Sequence, residues 1–162
     1  MKQLLGLTVL SGILTLASAA SAINSISLPT DNGIYITNSV AYPSLGRVQG
    51  ANHYFKLRVE GRALSQLLIT LPDGIDNIQD IQVKDEFGKP IETHALIDTK
   101  TKEAVVTFAK PVETSTTLSV KLKDVHIDQW NNIWLYQVSG KVIDPQVGNL
   151  PIGTVRIQTD AN

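Results

Sequence analysis

The segment His53-Tyr54-Phe55-Lys56-Leu57-Arg58-Val59 alternates without a break. Phe55, Leu57 and Val59 fall on one side, and Tyr54, Lys56 and Arg58 on the other. Successive side chains of a β-strand point to opposite faces, so this pattern predicts a strand with one face in a core and one in water. It has none of the three-and-four spacing that an amphipathic helix requires.

Moving outward, the same period recurs. Leu118-Ser119-Val120-Lys121-Leu122-Lys123 alternates as cleanly, and Ile81 and Val83 alternate with Gln82 and Lys84. The apolar run over residues 67–71 is closed by Pro72-Asp73-Gly74, and Phe87-Gly88-Lys89-Pro90 supplies a further turn. Residues 91–98 and 104–108 flank a polar, hairpin-like connection at 99–103. Residues 133–138 are apolar, aromatic or β-branched nearly throughout, which predicts a strand covered on both faces. Val155 and Ile157 alternate with Arg156 and Gln158 in the closing strand. Residues 28–50 are rich in Pro, Gly, Asn and Ser, with one short strand expected at 34–37, and residues 62–68 offer a helical turn. About eight short strands with regular turn signals predict an all-β, immunoglobulin-like antiparallel β-sandwich.

The first twenty-two residues read differently. Lys2 precedes an apolar run over residues 4–17, and Ala20-Ser21-Ala22 ends the segment with small residues. Positive start, apolar middle and small-residue end are the layout of a cleaved signal peptide. The run is shorter than the roughly 20 residues a spanning helix needs, and no basic cluster follows it, so no stable membrane anchor is expected. Cleavage after Ala22 would leave residues 23–162 as a single domain, long enough for a core of its own.

Composition narrows the chemistry. The formal net charge is −1, which argues against nucleic acid as a partner. There is no cysteine, so disulfides, thiolate metal sites, a cysteine nucleophile and a lipidated N-terminal cysteine are excluded.

Several segments, taken in order, resemble a family of exported cyanobacterial proteins classed as a domain of unknown function. They are His53 to Val59, Leu67-Leu68-Ile69-Thr70-Leu71-Pro72, Val105-Val106-Thr107-Phe108-Ala109-Lys110-Pro111-Val112 and Thr116-Thr117-Leu118-Ser119-Val120. Ile133-Trp134-Leu135-Tyr136-Gln137-Val138 and Ile152-Gly153-Thr154-Val155-Arg156-Ile157 complete the set. The resemblance runs over about residues 42–157 and departs at Thr114-Ser115, where the family pattern has Pro-Gly. It implies an exported domain with no assigned activity and carries over no catalytic residue.

Two local clusters bear on function. A strand from Leu118 that continued past Lys123 would put Asp124, His126 and Asp128 on one face, where two carboxylates and an imidazole suit a divalent cation. A strand that stopped at Asp124 would leave the same three groups solvated in a turn. His53 and His94 are the other histidines. In Gln129-Trp130-Asn131-Asn132, Trp130 and Asn131 pair an aromatic ring with an amide, the chemistry of glycan contact, while Trp134 is expected in the core. No Gly-x-Ser-x-Gly or phosphate-cradling motif is present. Asp73, Asp76, Asp80, Asp85 and Glu86 read as solvated carboxylates in or beside turns. The expectation is a non-enzymatic interaction or structural module of the bacterial envelope, with an envelope protein or glycan as partner and no cofactor. The alternative is a periplasmic protein that binds a small ligand or a metal. Oligomeric state is not legible.

Overall fold

The computed structural model describes residues 33–44, 49–127, 131–144 and 146–160. Residues 1–22, where a signal peptide is expected, Asp128 and Trp130 lie outside them. Among the described residues nine strands carry the fold: β1 Tyr35–Tyr42, β2 Ala51–Val59, β3 Leu64–Thr70, β4 Ile75–Lys84, β5 Thr93–Asp98, β6 Glu103–Val112, β7 Thr116–Ile127, β8 Ile133–Val142 and β9 Asn149–Gln158. Among the described residues no helix is long and apolar enough to cross a membrane.

The strands form two antiparallel sheets, a four-stranded sheet in the order β1-β2-β7-β4 and a five-stranded sheet in the order β5-β6-β3-β8-β9. The alternation explains the layering. Phe55, Leu57 and Val59 of β2 and Leu118, Val120 and Leu122 of β7 face inward and meet Leu67, Ile69, Val106 and Trp134 of the other sheet. Burying each such aliphatic side chain contributes about 1.5–3 kcal/mol, so the shared core holds a fold without disulfides. Along one side the sandwich is closed: Ser39 Oγ donates to the Arg156 carbonyl at 2.7 Å, and the Asp160 amide donates to the Ser44 carbonyl at 2.6 Å.

Four local expectations are corrected. The helical turn at 62–68 is the start of β3. Leu64 and Leu67 are both buried three residues apart because a bulge at Leu64–Gln66 inserts a residue between them, which imitates helical spacing. Residues 133–138 are covered on one face only: Trp134, Tyr136 and Val138 point inward, while Ile133 and Leu135 are exposed. The short strand at 34–37 is the beginning of the longer β1, in which the polar run Thr37-Asn38-Ser39 interrupts the apolar pattern. Asp76 and Asp80 lie on β4 rather than beside turns.

Turns follow their residues. The Asp85 carboxylate accepts from the amides of Phe87 and Lys89, and Gly88 takes the left-handed backbone that the tight turn requires. Ser115 occupies a left-handed position with φ 63°, in the turn where the family pattern has glycine.

Candidate binding face

β7 does continue past Lys123, but with an irregularity. Asp124 has φ 53°, and the pairing with β2 slips between Ala51 and His53. The extra residue restores the phase of the strand: Leu122 and Val125 are both buried, and Asp124 and His126 share the outward side. Three polar groups brace the slip. The Asp124 amide donates to Asn52 Oδ1 at 3.2 Å, and the Gly50 amide donates to the Val125 carbonyl at 3.1 Å. The Gln49 side chain imitates a strand neighbour, donating to the Ile127 carbonyl at 2.7 Å and accepting from its amide at 3.0 Å.

Of the expected cation ligands, Asp124 and His126 come together, with Oδ1 and Nε2 3.6 Å apart on a partly exposed surface. Asp128 lies outside the described residues. Among the described residues no group of three His, Asp or Glu is arranged to hold a metal. Of the expected glycan contacts, Asn131 is exposed and its Oδ1 accepts from the Ile133 amide at 3.1 Å; Trp130 lies outside the described residues. Trp134 is in the core as expected, 1% exposed.

Trp134 belongs to a buried polar cluster. His53, inward-facing on β2, places Nδ1 2.5 Å from the Tyr136 hydroxyl on β8, with the two rings edge to face. The Trp134 ring lies 6.4 Å from the imidazole. Burial lowers the His53 pKa to about 4 and raises the Tyr136 phenol well above its ordinary value. Both groups are therefore neutral at pH 7, and their hydrogen bond joins the two sheets. The group is closed to solvent, so it serves the core rather than a ligand.

The outer face of the four-stranded sheet is the more informative surface. Outward positions on β1, β2, β7 and β4 fall into cross-strand rows. One row runs Val40, Tyr54, Lys121, Gln82, and the next runs Asn38, Lys56, Ser119, Lys84. Tyr42 pairs with Asn52 on one side of these rows, and Tyr35 pairs with Arg58 on the other. Three of the four tyrosines in the chain therefore sit on one sheet. A groove of about 340 Å³ opens here, lined by Asn38, Val40, Tyr42, Tyr54, Lys56 and Ser119 among others. Tyr42 is 71% and Val40 52% exposed, far more than a β-sandwich core position allows. Lys121 Nζ lies 5.6 Å from the Tyr54 ring centre, a cation–π contact that holds the amine over the groove wall.

Charges on this face are uneven. Arg58 is engaged by Glu60 at 2.6 Å, which raises the pKa of its guanidinium. Among the described residues Lys56, Lys84 and Lys121 are in no ion pair, and no acid lines the groove. The alternation of residues 53–59 placed Tyr54 and Lys56 in water from the sequence alone. That β7 would bring Ser119 and Lys121 beside them is a matter of strand order, which no local pattern encodes.

The two packed sheets define the class, an immunoglobulin-like β-sandwich. Among solved structures the chain is similar to the bacterial hydrophobin BslA, with a TM-score of 0.55 and 13% identity over 82% of this chain and 98% of that one. It is also similar to the collagen-binding domain of a Staphylococcus aureus adhesin, at a TM-score of 0.47 and 9% identity, covering 80% and 99% of the two chains. A non-cellulosomal cohesin from the archaeon Archaeoglobus fulgidus gives 0.43 and 15%, covering 78% and 92%. At these identities the likeness is one of fold. No curated protein sequence matches the chain. The chain belongs to the family described as protein of unknown function (DUF2808), matched over residues 28–159.

Proposed function

We propose that residues 23–162 act outside the cytoplasm, in the periplasm or at the cell surface, as a non-enzymatic interaction module of the bacterial envelope. Residues 1–22 serve as the export signal and are removed. The module docks through the outer face of its four-stranded sheet. The observation that carries this reading is the exposed groove in which Val40, Tyr42 and Tyr54 adjoin Lys56 and Lys121, which among the described residues are in no ion pair. The hydrophobin and adhesin sandwiches among the structural neighbours are compatible with such a role.

The test is expression of the tagged full chain in its own host, followed by fractionation and mass spectrometry. The expected product begins at Ile23 and is retained by isolated envelope material. An uncut chain confined to the cytoplasm would overturn the reading.

The approach of Asp124 and His126 favours a second reading, in which Asp128 completes a divalent-cation site. Titration of the secreted protein with copper, zinc and calcium decides it. An absence of both heat and stability shift removes the site.

A further inference from the structure

We infer that the outer face of the four-stranded sheet binds an acidic polysaccharide. This rests on that face being the contact surface and adds the chemistry of what it contacts.

Three features converge on such a ligand. First, the groove offers flat rings beside hydrogen-bonding groups. Tyr42 and Tyr54 are diagonal neighbours across β1 and β2, while Asn38, Ser119 and the tyrosine hydroxyls face the same space. Rings of this kind cover the C–H face of a sugar while amides and hydroxyls bond its oxygens. Second, the cations are spaced rather than clustered. Lys56 and Lys84 share one row with Ser119 between them, and Lys121 stands one row away. Strand spacing and the two-residue repeat put these positions about 7–10 Å apart, which suits charges carried a sugar or two apart along a polymer. Third, the whole chain carries a net charge of −1, yet no acid lines the groove. The positive character is local to the groove, as recognition of an anion requires: the acids that share this outer face, Asp80 beside Gln82 and Asp124 on β7, lie outside its lining.

Other anionic partners fit less well. An acidic peptide adding as a strand would pair along an edge, β1 or β4, and not over the middle of the face, where Tyr54, Lys56 and Lys121 stand on the fully paired β2 and β7. A lipid surface calls for a continuous apolar patch, whereas Val40, Tyr42 and Tyr54 are bordered on the same face by Asn38, Asn52, Lys56, Ser119 and Gln82.

The experiment uses the mature protein secreted from its host and polygalacturonate as the probe. Neutral dextran, poly-glutamate and phosphatidylglycerol vesicles are run in parallel, by affinity electrophoresis and calorimetry at low salt. Polygalacturonate is expected to bind and dextran not to bind. The affinity should fall steeply with added salt. The double variant Lys56→Gln/Lys121→Gln should bind about ten-fold more weakly, as should Tyr54→Ala, with unchanged unfolding midpoints for the lysine variant. The inference is overturned if polygalacturonate does not bind, if the lysine variant binds it as tightly as the parent, or if dextran, poly-glutamate or vesicles bind equally well. Retention by envelope material that survives the lysine changes would sink the acidic-glycan inference while leaving the interaction reading standing. Loss of all envelope retention in the parent protein would remove both.

Discussion

The Tyr136 hydroxyl lies 2.5 Å from Nδ1 of His53, and this hydrogen bond joins the two sheets through the middle of the core. His53 is 2% exposed and Tyr136 0%. Either group can donate, depending on the ring tautomer, and burial keeps the imidazole neutral. A polar pair of this kind is compatible with a buried core because each partner satisfies the other.

Stability should therefore depend on pH through His53. Burial lowers its pKa in the native protein to about 4 from the ordinary 6.5. Between those values the unfolded chain takes up a proton that the native chain refuses, so the native state loses ground as pH falls. Its contribution is complete above pH 6.5, declines through the window and is exhausted near pH 4, for a total of about 3 kcal/mol. Urea unfolding at pH 7.5, 5.5 and 4.0 measures the slope. His53→Gln should flatten it, and equal slopes in the two proteins would exclude His53 as the source.

Tyr136→Phe keeps the ring and removes the hydroxyl, stranding the His53 nitrogen. A loss of about 1–3 kcal/mol is expected, the cost of a buried polar atom left unpaired. In a double-mutant cycle with His53→Leu the two losses should be clearly non-additive. Additive losses would mean that the hydrogen bond contributes nothing of its own.

Gly140 is an inward position on β8, and close packing rather than a turn explains it. A Cβ built there would stand 2.7 Å from Leu64 Cδ1 and 3.1 Å from Ile152 Cδ1. Leu64 is fully buried and cannot swing into solvent. Gly140→Ala should cost about 1–3 kcal/mol through overpacking, partly recovered by adding Leu64→Val. Thermal or urea denaturation of the single and double variants reads the difference.

Ser115→Gly is expected to stabilise. Ser115 sits at φ 63°, where an L side chain crowds its own backbone and glycine does not. The relief is offset by the greater freedom of glycine in the unfolded chain, so a net gain of up to about 1 kcal/mol is expected. A lower unfolding midpoint would show that the contact of its hydroxyl with Glu60, at 3.5 Å, outweighs the strain.

Much of the fold was legible. Period-two alternation at 53–59 and 118–123 identified both β2 and β7 and the inward side of each. The departures from the sequence pattern have more than one cause. At β3 and at Asp124 a bulge changes the count of residues between inward positions, and a bulge belongs to a pair of strands rather than to either sequence. At β8 the run of Ile133, Trp134, Leu135 and Tyr136 reads as buried on both sides because hydrophobicity does not reveal whether a second layer covers the outer face.

The candidate site divides in the same way. Short-range patterning along the chain determined that it would form strands, which side of each would be wet, and that Tyr54, Lys56 and Lys121 would stand on wet sides. Those features depend on residues one or two positions apart. Only the tertiary structure decided that β1, β2, β7 and β4 lie side by side, gathering Tyr42, Tyr54, Lys56, Lys84 and Lys121 on one face. It also decided that His53 would meet Tyr136 across the core. Strand order is set by how two whole sheets bury their apolar sides against each other, a balance summed over the entire core, so no single segment carries it.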